Sequence, residues 1–180
     1  MHSRLAIPRI DALDPQQRAI RDAIVASRGS IDGPFLAWLL VPGLADPAQQ
    51  LGAFCRYQTS LARVELELLI LVVAAELRCE AEQQIHEPIA LAAGLASQAV
   101  DSIRIGHYPD LGPVRLRLLY QVARCLVRKS RIPERLYALA VGCFGEKSMV
   151  EIVTVVGYYS MVGLTLNAFE MKVRVAPLLS

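Results

Sequence analysis

Cysteine is sparse and scattered in this chain: Cys55, Cys79, Cys125 and Cys143 lie far apart and form no Cys-x-x-Cys pair. That spacing excludes a dense disulfide framework and a zinc ribbon, and it fits a reducing cytoplasm. A dominant sign of charge is lacking too. Nineteen Lys and Arg against seventeen Asp and Glu leave a formal net charge of +2, and the two signs are mixed along the chain, so no basic stripe offers nucleic acid a footprint. The opening stretch MHSRLAIPRIDALDP has no apolar run of signal-peptide length and is broken by prolines and charges, which argues against secretion. No segment alternates strictly between apolar and polar residues, so the whole chain reads as all-α.

What is present is apolar content in abundance. With 54% hydrophobic residues over 180 positions, the chain can bury one good core, and a single domain over residues 1–180, with its core from about 15 to 170, is expected. Asp14-Pro15 is an N-cap followed by proline at the first helical position, predicting a helix from Pro15 to about Ser27 with Ile20, Ala23 and Ile24 inward. Gly29 and Gly33 end it, and a short apolar helix over Phe35–Leu40 follows. Asp46-Pro47 repeats the start signal for a helix through Tyr57 with Leu51 and Phe54 inward. Ser97 should cap a short helix to Arg104. Val114, Leu118, Val122 and Cys125 or Leu126 keep helical period to Val127, and Pro133 opens a helix to Cys143. Gly145 breaks the chain before a final helix from Lys147 to about Val173. Its run MVEIVTVVGYYSMVGLTLNAF is about as long as a bilayer span, but it carries Glu151 and several polar residues and lacks flanking basic clusters, so a core or subunit-interface helix is expected and no membrane insertion.

The chemistry concentrates in LARVELELLILVVAAELRCEAEQQIHEPIALAAG, residues 61–94. It reads as two helices joined at Leu77-Arg78-Cys79. The first is almost wholly apolar yet carries Glu67, and the second presents Cys79, Glu82 and His86 at spacings of three and four, on one helical face. An antiparallel hairpin would carry the Glu67 carboxylate toward that face, so that two carboxylates, a thiol and an imidazole converge on one cavity. Glu151 opens a later apolar helix in a faint echo of Glu67, but no cysteine or histidine accompanies it.

The runs GPFLAWLLVPGLAD, RVELELLIL, EAEQQIHEPIALAAGL and VEIVTVVGYYSMVGLTLNAF, in that order from about Arg9 to Phe169, resemble the carboxymuconolactone decarboxylase family and its alkylhydroperoxidase D-like relatives. In that family an acid opens the central helix and a motif ending in histidine opens the next. Glu67 matches the acid, and Glu82-x-x-x-His86 matches the motif, with Ala81 and Gln83 where the family has aromatics. The peroxidase branch uses Cys-x-x-Cys with a histidine four residues on; here Cys79 fills the first cysteine position and Glu82 the second. Without a resolving thiol at 82 a dithiol cycle within the motif does not close. The resemblance implies an alkylhydroperoxidase D-like helical bundle that assembles as a homotrimer or homohexamer.

Each candidate has a plain structural alternative. Glu67 is four residues from Arg63 and suits an ion pair; Glu82 suits a solvated face; Cys79 suits core filler, or a thiol with a pKa lowered by the helix N-terminus and Arg78. Glu82 and His86 stand at metal-ligand spacing, but with no second ligand cluster a metal is not expected. Tyr158, Tyr159 and Asn167 read as interface or core, Trp38, Phe35 and Phe54 as core near the pocket, and His107 as an exposed loop residue. The leading expectation is a cofactor-independent lyase on a small unsaturated lactone or carbonyl acid, with His86, Glu82 and Glu67 supplying acid–base chemistry. The alternatives are a peroxidase or redox sensor acting through Cys79, and a binding protein that keeps only the family's cavity.

Overall fold

The computed structural model describes residues 3–172; Val173, the expected end of the last helix, lies outside them. Among the described residues the regular structure is wholly helical: a 3-10 turn over Ile10–Ala12, then α1 Pro15–Arg28, α2 Pro34–Trp38, α3 Pro42–Tyr57, α4 Arg63–Glu76, α5 Glu80–Ala92, α6 Ser97–Arg104, α7 Val114–Lys129 and α8 Glu134–Ala168. The hub is α4. Every residue from Glu65 to Ala74 is buried, so this helix is covered on all sides, as its unbroken apolar run demands. Helices α5, α6, α7 and α8 pack around it, while α1, α2 and α3 form a second group leaning on α8.

The start of α1 matches its sequence: Asp14 accepts from the Gln17 amide, and the Gln17 side chain accepts from the Asp14 amide, a reciprocal cap. Ala23, however, is exposed, and Ile20 and Ile24 alone form the inner edge. The start of α3 departs further. It begins at Pro42, where the Val41 carbonyl accepts from the Leu44 and Ala45 amides, and Pro47 sits inside it. Proline there removes one backbone donor, but Pro47 and Gly43 both lie on the exposed side, where the lost bond costs little. The earlier start resets the phase: Ala45, Ala48, Gly52 and Cys55 face inward, and Leu51 is exposed. In α7 Leu119, Tyr120, Val122 and Ala123 are buried and Val114 is exposed; Val122 faces inward as expected, while Leu119 is buried where the spacing predicts Leu118. In α6, Ser97 is the first helical residue and Ala96 the cap position.

The chain does break at Gly145, whose φ of 78° and ψ of 161° kink α8. Although α8 is long and apolar enough to cross a membrane by length and composition, 56% of its most apolar window is buried inside the protein. Glu151 accepts from the amide and hydroxyl of Ser60 at 2.9 and 2.6 Å; the acid that echoed Glu67 therefore holds the turn leading into α4.

Candidate functional site

Arg63 opens α4, and one turn in, Glu67 points to the side where α5 returns. The return is tight: Arg78 adopts a left-handed φ of 52°, and the Cys79 amide donates to the Ala74 carbonyl at 2.8 Å. A left-handed non-glycine residue costs about 1–2 kcal/mol and needs external support. Asn167 of α8 supplies some, donating from Nδ2 to the Leu77 carbonyl at 2.8 Å.

The hairpin brings the expected pair together. Glu67 is fully buried, and its Oε2 lies 2.7 Å from His86 Nδ1. Its other oxygen, Oε1, takes Arg56 Nη1 at 3.0 Å and Arg63 Nε at 3.2 Å. Burial pushes the Glu67 carboxyl up, but the hydrogen bond and charge of His86, with the charges of Arg56 and Arg63, outweigh it and leave the group below the usual carboxylate range. An ionised Glu67 can only accept, so Nδ1 carries a proton and donates to it. The 3.5 Å approach of Arg56 Nη1 to the same nitrogen is then a contact between two donors. His86 is left with Nε2 as its free nitrogen. Tyr159 meets the imidazole edge-on, with centroids 5.6 Å apart, and holds the ring plane.

Glu82 sits one turn before His86 with Oε2 3.6 Å from Nε2, beyond hydrogen-bond reach. That oxygen is buried and has no hydrogen-bond partner among the described residues. Burial, and to a lesser degree repulsion from Glu67, raise the Glu82 carboxyl above its ordinary value, against the pull of His86 and Arg56. The two carboxyls flanking one imidazole are thus driven in opposite directions. Pairs of titratable groups separated in this way are the mark of acid–base sites.

Cys79 does not join them at the cavity. It is the residue before the first turn of α5, fully buried, and it is absent from the cavity wall. Burial pushes its thiol up to about 11, although the amides of Glu82 and Ala81 bond the sulfur and pull the other way. Of the two readings of Cys79, its burial matches core filler rather than a thiol lowered by the helix N-terminus: desolvation exceeds the dipole.

The cavity, about 240 Å³, is walled by Glu82 and His86 of α5, Arg56 of α3, Tyr158 and Tyr159 of α8, and Arg28 and Phe35 from α1 and α2. Phe35 is a wall residue, whereas Trp38 is buried behind it, edge-on at 5.5 Å. His107 is exposed. Arg28 and Arg56 carried no sequence signal, because each reaches the site through tertiary packing from a helix remote from the motif; the final-turn position of Arg28 reads only as a favourable dipole contact.

No family model matches the chain, and no curated protein sequence matches it. Solved structures do. The chain is similar to the alkylhydroperoxidase AhpD core of a peroxidase-related protein from Ralstonia eutropha JMP134, with 16% identity, a TM-score of 0.81, and coverage of 97% of this chain and 94% of that one. A peroxidase-related protein from Silicibacter sp. TM1040 gives 16% identity and a TM-score of 0.79 over 94% and 90% of the two chains. The debrominase Bmp8 gives 14% identity and 0.73 over 98% and 94%. At these identities the likeness is one of architecture, and the chain has the single-domain, all-α fold of the alkylhydroperoxidase D-like proteins.

Proposed function

We propose that this protein is a cofactor-independent lyase resembling carboxymuconolactone decarboxylase, acting on a small unsaturated lactone or carbonyl acid. The observation that carries this reading is the pair of Glu82 and His86 on the cavity wall, with the buried Glu82 Oε2 lacking a hydrogen-bond partner among the described residues and Glu67 bonded to His86 Nδ1 behind them. Decarboxylation breaks a carbon–carbon bond, releases carbon dioxide and leaves the electron pair delocalised into the carbonyl as an enolate. Glu82, whose carboxyl burial raises above its ordinary value, delivers a proton to carbon and regains it from solvent. With a second proton on Nε2, His86 donates to the enolate oxygen, and the Glu67 carboxylate behind it stabilises the imidazolium. Glu67 is then a positioning residue rather than the proton source.

The thiol reading is weaker on these observations. Cys79 is buried off the cavity and its thiolate is disfavoured, and no other cysteine lines the cavity. The four thiols are unpaired, in keeping with a cytoplasmic protein. As part of the same reading, the chain assembles as a homotrimer or homohexamer.

The test is carbon dioxide release from 4-carboxymuconolactone and related lactone acids, alongside reduction of organic peroxides. His86→Ala should lower lyase turnover by about 10²–10⁴-fold, and Cys79→Ser should leave it largely intact. Peroxide reduction that disappears with Cys79→Ser, in a protein inert toward lactone acids, would overturn the proposal.

A further inference from the structure

The cavity holds a charge that the acid–base pair does not use. Arg28 ends α1 and stacks its guanidinium over the Phe35 ring, 4.7 Å from the centroid. Its Nε and Nη2 are buried and have no hydrogen-bond partner among the described residues. Among the same residues no carboxylate lies within ion-pair distance of it, unlike Arg56, whose charge is committed to Glu67. Asp32 also lines the cavity, but it is exposed and forms no such pair. Glu82, the remaining acid on the wall, is held toward its neutral form.

A guanidinium cannot relieve this by losing its proton. Nε and Nη2 are sealed against protein atoms, but with no carboxylate to compensate it among the described residues, the charge favours an anion on the side where Arg28 lines the cavity. Phe35, Tyr158 and Tyr159 add aromatic side chains to the wall, which suits a flat ring.

We propose that Arg28 forms an anion subsite in this cavity and takes the carboxylate of a small planar organic acid, which sets the substrate class. The inference rests on the acid–base reading only in placing that acid in the same cavity; the subsite itself is read from binding. Trp38 is the chain's one tryptophan and packs edge-on against both Phe35 and Tyr158, so its fluorescence reports occupancy.

The experiment titrates the full-length protein at pH 7 with 2-furoate and with its neutral isostere 2-furamide, following Trp38 emission and confirming by calorimetry. Furoate should bind about tenfold or more tightly than furamide. Arg28→Met should abolish that preference at an unchanged circular dichroism spectrum, and Arg28→Lys should restore part of it. Equal affinity for the two probes, or a preference that survives Arg28→Met, overturns the subsite. Inorganic phosphate binding more tightly than furoate in an Arg28-dependent way overturns the carboxylate assignment. A furoate preference lost in Arg28→Met while His86→Ala retains full turnover would leave the subsite standing and remove the lyase reading; the converse pattern would do the reverse.

Discussion

At the scale of single residues, the site works through opposed ionisation of near neighbours. The native Glu67 carboxyl lies below its ordinary value, so its contribution to stability is present above about pH 4.3 and is lost as pH falls through the native value. Glu82 has the opposite sign. Its native carboxyl is raised, so the native state keeps a proton that the unfolded chain releases above about pH 4.3, and stability declines as pH climbs from there to the native value. Glu82→Gln removes that penalty. Relative to the wild type it should be no more stable near pH 4 and increasingly more stable above it, by up to about 1.4 kcal/mol per pH unit until the native value is passed. Urea denaturation at pH 4 and pH 8 measures the gap; a gap that fails to widen contradicts a raised Glu82 carboxyl. The spacing of Glu82 and His86 and the lone acid in an apolar helix were legible because helical period is a local property. Local spacing leaves Cys79 open between a depressed thiol and core filler, and the buried reading holds because α8 packs close to the α5 start: a Cβ on Gly163 would lie 3.7 Å from Cys79 Cβ.

At the scale of elements, the sequence announced helix ends well where punctuation is local, as at Asp14-Pro15, Gly29 and Gly145, and less well where a start signal falls inside a helix. Asp46-Pro47 reads as the start of α3, but the helix begins at Pro42, since an exposed proline in the second turn gives up a bond on the solvent side, where its loss costs little. The consequence reaches the site. With α3 phased from Pro42, Gly52 faces α8, and a Cβ there would stand 2.1 Å from Tyr158 Oη, 2.6 Å from Cζ and 2.8 Å from Arg28 Nη2. Alanine in place of a helical glycine ordinarily gains about 0.5–1 kcal/mol. Here the Tyr158 ring is wedged edge-on between Trp38 and Tyr159 and cannot retreat, so Gly52→Ala should instead cost about 1–3 kcal/mol. Thermal denaturation checks the sign, and the substitution should also weaken furoate binding by displacing Arg28. A stabilised variant would mean that α3 and α8 do not approach this closely.

At the scale of the whole molecule, α8 has two sides that the sequence could not tell apart, since both are apolar. Ile152, Val155, Tyr159 and Leu166 are buried on one, while Val150, Val153 and Leu164 lie along the other at 68%, 46% and 58% exposure, with Gly157 between them. Helical geometry puts these exposed positions within one stripe, and contiguous apolar surface of this kind is a mark of association. The cavity wall uses Tyr158 and Tyr159 from the same helix, so a partner seated on the stripe would brace the site from behind. For a homotrimer or homohexamer of 19.8 kDa chains, light scattering should give a mass three or six times that of the chain. Val153→Glu combined with Leu164→Glu should reduce it to a monomer, with binding of furoate loosened less than assembly, since neither residue lines the cavity. A wild-type protein that runs as a monomer at micromolar concentration removes this assembly, and the exposed stripe of α8 must then be stable in water as it stands.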